Sequence, residues 1–119
     1  MDDRSKGYLW DMVQSANALR EYTTGLDLDS FVEDAMMRDA VERRFLIIGE
    51  ALIRLRRHDP TSADQISHAE RIIGLRNVIA HEYDRISPAA LWRIVQEDIP
   101  VLREELVRLL ASSAPSLPG

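Results

Sequence analysis

Apolar residues along this chain recur at helical rather than strand spacing. Leu9, Met12, Val13, Ala16 and Leu19 keep the three-and-four rhythm of one amphipathic face. That helix should stop near Tyr22, where Thr23, Thr24 and Gly25 follow. Asp29 or Ser30 can cap a new start, with Glu33 placed three residues after Ser30 as in a capping box. The longest periodic segment runs from Asp34 to Arg57, and its stripe of Val41, Phe45, Ile48, Leu52 and Leu55 is close to a heptad, suited to near-parallel packing. Gly49 inside it costs ~1 kcal/mol against alanine, a cost that close approach of another helix would explain. His58-Asp59-Pro60-Thr61-Ser62 is a cluster of breakers and predicts a loop. Ile72, Ile73, Leu75, Val78 and Ile79 then predict a helix over Ser67 to Ala80. Ser87-Pro88 has a cap followed by a proline at the first helical position. The last helix carries Leu91, Ile94, Val95, Ile99, Leu102, Leu106 and Leu109, with Pro100 expected to kink or divide it. The pattern predicts an all-α, up-down bundle of four to five helices, one domain over 1–111 and a flexible tail over 112–119, with no repeat or linker.

Composition narrows the class without naming a substrate. The 119 residues suffice for one core, and 45% hydrophobic with 29% charged residues is an ordinary globular balance. With no cysteine, disulfides, thiolate metal sites and thiol catalysis are excluded. No apolar run reaches the ~20 residues that cross a bilayer, and the charged start Met1-Asp2-Asp3-Arg4-Ser5-Lys6 lacks the apolar stretch of a signal peptide. A cytoplasmic, non-membrane protein is expected. The net charge of −5 speaks against binding nucleic acid through overall field. Of the 15 basic residues only Lys6 is lysine. That skew fits bidentate phosphate contacts and a GC-rich genome alike. Arg43, Arg44, Arg54, Arg56 and Arg57, mostly off the apolar stripe, read as a solvated helix surface.

Candidate chemistry concentrates in one segment. His58 and His68 have no second ligand at helical spacing, so no metal site is expected. His81 differs, lying in Arg76-Asn77-Val78-Ile79-Ala80-His81-Glu82-Tyr83. Arg76 and Tyr83 share a face two turns apart if the helix runs that far, while His81 points ~140° from Arg76 on a continuous helix. Arginine and histidine can converge only if the helix ends or bends near His81, or if two copies meet across a twofold axis. On spacing alone, Arg76 reads rather as a surface ion pair and His81 as a helix C-terminal cap.

This stretch resembles the HEPN superfamily, whose ribonucleases carry arginine, four to six residues, then histidine. More narrowly it is similar to the HepT-like toxins, in which the motif extends to Arg-x4-His-x-Tyr. Gly74 to Tyr83 matches that form throughout. Asp39 to Ala51 is similar to the family's long helix, and Leu91-Trp92-Arg93-Ile94 with Asp98-Ile99-Pro100-Val101-Leu102 to its C-terminal helix. One departure is visible: His68-Ala69 stands where family members commonly place Pro-Trp, removing a large packing anchor.

The resemblance implies a HEPN-like bundle and a metal-independent endoribonuclease needing no cofactor, the toxin of a type VII-like toxin-antitoxin pair. Arg76 and His81 would be catalytic. Histidine can move the proton of an attacking ribose 2′-hydroxyl near neutral pH, and arginine can hold the oxygens of the phosphorane bidentately. Asn77 would orient substrate or His81, or cap the chain locally. Tyr83 would be O-adenylylated by a minimal, MntA-like nucleotidyltransferase antitoxin, placing negative charge against Arg76. RNA, that antitoxin and a second copy in a homodimer are the implied partners. Two other functions compete: a non-catalytic HEPN helper or docking subunit of a nucleotidyltransferase, and a plain dimeric module. The intact Arg76, His81 and Tyr83 favour the ribonuclease; the net acidity favours the others.

Overall fold

The computed structural model describes residues 1–82 and 85–112. Among them lie six helices and no strand: α1 (Asp3–Thr23), α2 (Leu28–Glu33), α3 (Ala35–His58), α4 (Pro60–Ala63), α5 (Ala69–His81) and α6 (Pro88–Ser112). The expected all-α bundle is present. The four long helices are the expected ones, and the short α2 and α4 raise the count above four or five.

Aspartate sets most of the helix starts. Asp2, Asp27, Asp34 and Asp59 each accept a hydrogen bond from the backbone N–H three residues on, at 2.8, 2.8, 3.0 and 3.1 Å, satisfying a donor that the helix cannot. This corrects two sequence expectations. The cap of α2 is Asp27 rather than Asp29 or Ser30, and Ser30 instead donates its N–H to Asp27. The expected loop over 58–62 holds α4, because Asp59 caps and Pro60 occupies the first turn. At the other end, Ala111 and Ser112, expected in or beside the tail, belong to α6; residues 113–119 lie outside the described residues.

Cross-helix contacts give the topology. Ser5 Oγ donates to Asp59 at 3.0 Å, and Arg44 of α3 reaches the Tyr22 hydroxyl at 3.1 Å, so α1 and α3 are antiparallel. Arg56 pairs with Glu70 and Glu50 with Arg76, which makes α5 antiparallel to α3. Arg71 and Ser67 meet Asp98 and Glu105 of α6, reversing direction once more. The result is an up-down bundle of four long helices.

The helices α1, α3 and α6 bury the stripes their periodicity marks. Leu9, Met12 and Leu19 of α1, Val41, Phe45, Ile48, Leu52 and Leu55 of α3, and Leu91, Ile99, Leu102 and Leu106 of α6 are almost fully buried. Phe31 of α2 closes one end against Trp92, ring centroids 5.4 Å apart. From α5 only Ile72 and Ile79 are buried, and Leu75 is half-buried against the core. Pro100 does not divide α6. Pro100 and Gln96, whose carbonyl loses its donor, are both exposed, where water can replace the missing bond. No helix among the described residues is long and apolar enough to cross a membrane.

Candidate active site

The arginine of the motif is seated by a glycine. Gly49 is buried in the middle of α3, and a Cβ built there would overlap Arg76 Cβ and Cγ. The missing methyl lets the root of the Arg76 side chain lie against the α3 backbone. The expected helix approach at Gly49 is therefore real, and its object is the motif residue itself. From this seat the guanidinium is held at two points. One terminal nitrogen donates to Glu50 Oε2 at 2.9 Å, the other to Asn77 Oδ1 at 3.1 Å. Arg76 Nε is buried without a partner among the described residues. Glu50 also receives Arg54 Nε at 3.4 Å, so one carboxylate faces two guanidiniums and the local charge stays positive.

Asn77 is exposed, and its side chain neither caps the helix nor reaches His81 in this chain; it accepts from Arg76. His81 is the last residue of α5, exposed and without a hydrogen-bond partner among the described residues. The helix is unbroken from Arg76 to His81, so the two side chains remain about 140° apart around its axis. One chain does not bring them together. Beyond His81, the Glu82 N–H returns to the Val78 carbonyl at 2.7 Å, and the Glu82 carboxylate pairs with Arg85 at 2.9 Å. Tyr83 lies outside the described residues.

Arg76 opens onto a cleft of about 340 Å³ between α1 and α3, bordered by Tyr8, Asp11, Arg43, Glu50 and Arg54 among others. The arginines of α3 thus divide by task. Arg44 holds Tyr22 through hydrogen bonds and lies 5.7 Å from its ring centre; Arg56 pairs with Glu70; Arg43 and Arg54 face the cleft. Glu50 is the site residue that sequence reasoning did not assign. Its only signal is adjacency to a helical glycine, and nothing local links it to a motif 26 residues later. At the position of the missing Pro-Trp pair, His68 takes a left-handed conformation (φ 61°) with no side-chain cap. Just before it, Ser67 donates its N–H and hydroxyl to Glu105 of α6. Among the described residues no group of three or more His, Asp or Glu side chains is placed to hold a metal ion.

The model of the Ribonuclease HepT-like family matches residues 12–109, a span that runs from α1 through the arginine–histidine segment to the end of the α6 core. The chain belongs to the HepT-like ribonuclease family. Among its HepT-like relatives, a Methanocaldococcus jannaschii protein provisionally named RNase MJ1380 is 36% identical over 101 residues, covering 85% of this chain and 92% of the relative. A Thermococcus cleftensis protein provisionally named ribonuclease HepT is 29% identical over 104 residues, covering 87% and 94%. No solved structure matches the chain.

Proposed function

We propose that this HepT-like protein is a metal-independent endoribonuclease toxin, active as a homodimer and silenced by adenylylation of Tyr83. The observation that carries the reading is the Arg76 seat: an arginine fixed by Gly49, Glu50 and Asn77 beside a cleft, in a motif whose histidine is exposed and has no hydrogen-bond partner among the described residues. In the reaction, His81 takes the proton of a ribose 2′-hydroxyl as that oxygen attacks the adjacent phosphorus. The P–O5′ bond breaks, and the departing oxygen takes up a proton. A 2′,3′-cyclic phosphate and a 5′-hydroxyl result, with no oxidant or metal in the balance. Arg76 stabilises the added negative charge on the phosphorane oxygens, its two terminal nitrogens already oriented. Because His81 lies about 140° from Arg76 on α5, a twofold pair supplies the convergence that one chain lacks.

The test is cleavage of a fluorogenic RNA in excess chelator. Wild type should cleave undiminished, and Arg76→Ala and His81→Ala should each lose at least a hundredfold with unchanged circular dichroism. Cleavage that vanishes in chelator and returns with added divalent ion removes the metal-independent mechanism. Wild-type sedimentation as a monomer under cleaving conditions removes the shared site.

A further inference from the structure

We infer that the groove between α1 and α3 is the track that holds the RNA strand beyond the scissile phosphate, with arginines for its backbone and Tyr8 as a stacking platform for a base. The inference rests on the ribonuclease reading above and assigns the substrate's path.

Two clefts adjoin along this groove. The one that contains Arg76 shares Tyr8 and Arg54 with a second, of about 280 Å³, bordered by Arg4, Arg57 and His58. The walls of the two hold five arginines against two carboxylates, Asp11 and Glu50, in a chain whose net charge is −5. The positive field therefore belongs to this groove and not to the protein at large. Three of these five arginines are also uncommitted, Arg54 and Arg76 being shared with Glu50. Arg4, Arg43 and Arg57 make no hydrogen bond or ion pair with the described residues, whereas Arg38, Arg44, Arg56, Arg71, Arg85, Arg103 and Arg108 are all engaged. Arg43, Glu50, Arg54 and Arg57 form one stripe along α3, and fourteen residues separate its ends, roughly 21 Å of helix. An extended polyanion matches a line of that length better than a small ligand does.

Tyr8 stands where the two clefts join, half-buried, and its hydroxyl bonds to none of the described residues. The His58 ring packs against it at 77°, centroids 6.4 Å apart, and His58 is itself held by Asp2 at 2.7 Å. A positioned aromatic between cationic walls is the arrangement that binds single strands without reading sequence. In the proposed homodimer a second copy reaches only the Arg76 end of the groove; closing the two like-charged grooves on each other along their length is unfavourable.

The experiment measures binding of a short, unstructured, fluorescein-labelled RNA to His81→Ala protein by anisotropy, over a range of salt. Arg43→Gln and Arg57→Gln should each weaken binding roughly fivefold and lower the salt slope by about 0.7. Tyr8→Leu should weaken it about tenfold or more, and Tyr8→Phe should not. Arg20→Gln and Arg93→Gln, also without partners among the described residues but outside the groove, should leave the affinity unchanged. Equal losses in groove and control variants would overturn the track, leaving a diffuse field. Unchanged affinity with groove variants sedimenting as smaller species would overturn it in favour of a contact between copies. A wild type that cleaves RNA while the groove variants bind normally refutes the track alone. Groove-dependent binding by a wild type that cleaves nothing sustains the track and removes the ribonuclease reading.

Discussion

Replacing Gly49 by alanine separates what a helix wants from what the site needs. In an unobstructed helix interior, glycine to alanine gains about 0.8–1.0 kcal/mol. Gly7 in α1 reports that term alone, since a Cβ there meets nothing within 4 Å, and Gly7→Ala should stabilise the protein by nearly that amount. At Gly49 the same methyl overlaps Arg76 Cβ and Cγ. Neither atom is the free end of a flexible chain, so the overlap is relieved only by lifting α5 or swinging Arg76 off its seat. Overpacking of this kind costs about 1–3 kcal/mol, and the two glycine-to-alanine changes should differ by that amount. Gly49→Ala then lies between neutral and about 2 kcal/mol destabilising. Urea titrations followed by circular dichroism measure both. Displacing Arg76 by an ångström or so should also lower RNA cleavage about a hundredfold, with Gly7→Ala at the wild-type rate. If Gly49→Ala stabilises as much as Gly7→Ala and cleaves normally, the seat does not position Arg76 and the account of this site is wrong.

Arg76→Lys keeps the charge but cannot donate to both Glu50 and Asn77 in one plane. It should lose most of the activity that Arg76→Ala loses, as single-turnover cleavage would reveal. Tyr83→Phe keeps the ring and removes the acceptor oxygen. It should fold, escape the mass increase that a partner nucleotidyltransferase with ATP gives wild type, and stay toxic beside that enzyme; an unchanged mass increase moves the modification to another residue. The Asp2 carboxyl is lowered from 3.8 to about 2, first by the Ser5 backbone N–H and next by His58. Its contribution to stability is therefore complete above pH 3.8 and is lost as the pH falls toward 2. Asp2→Asn should flatten the fall of Tm across that window; an identical acid limb would show that the carboxylate does not link α1 to α3.

The long helices were legible because their apolar residues repeat over several turns, and a repeat survives errors in any one residue. Ser87-Pro88 located the start of α6 for a related reason, since cap and proline act within four residues of each other. The short helices were not legible. A four-residue helix has no period, so Asp59-Pro60 reads as a breaker until the donor at Ser62 is seen. For α2, Asp27, Asp29 and Ser30 are all able to cap, and only the register of the buried Phe31 chooses among them. At the site, the motif exposed Arg76 and His81, whereas Glu50 and the groove arginines depend on which face of α3 turns toward α1 and α5. That orientation arises from packing between segments far apart in the chain. The arginines expected on a solvated surface are indeed off the core, but sequence could not tell the engaged Arg44 and Arg56 from the unengaged Arg43 and Arg57.

The shallow burial of α5 has a consequence in time as well as in space. This helix carries the arginine–histidine segment, yet it is anchored by Ile72, Ile79, the half-buried Ile73 and Leu75 and a few ion pairs, while α1, α3 and α6 supply most of the core. Its opening free energy should consequently lie below that of the whole molecule. Amide protons of α5 would exchange as a separate, earlier unit, and those of α3 only on global unfolding. The segment proposed to meet the substrate is then the part of the bundle that can leave and return while the other helices stay assembled. Whatever covers its outer face registers as slower exchange there before any change of shape.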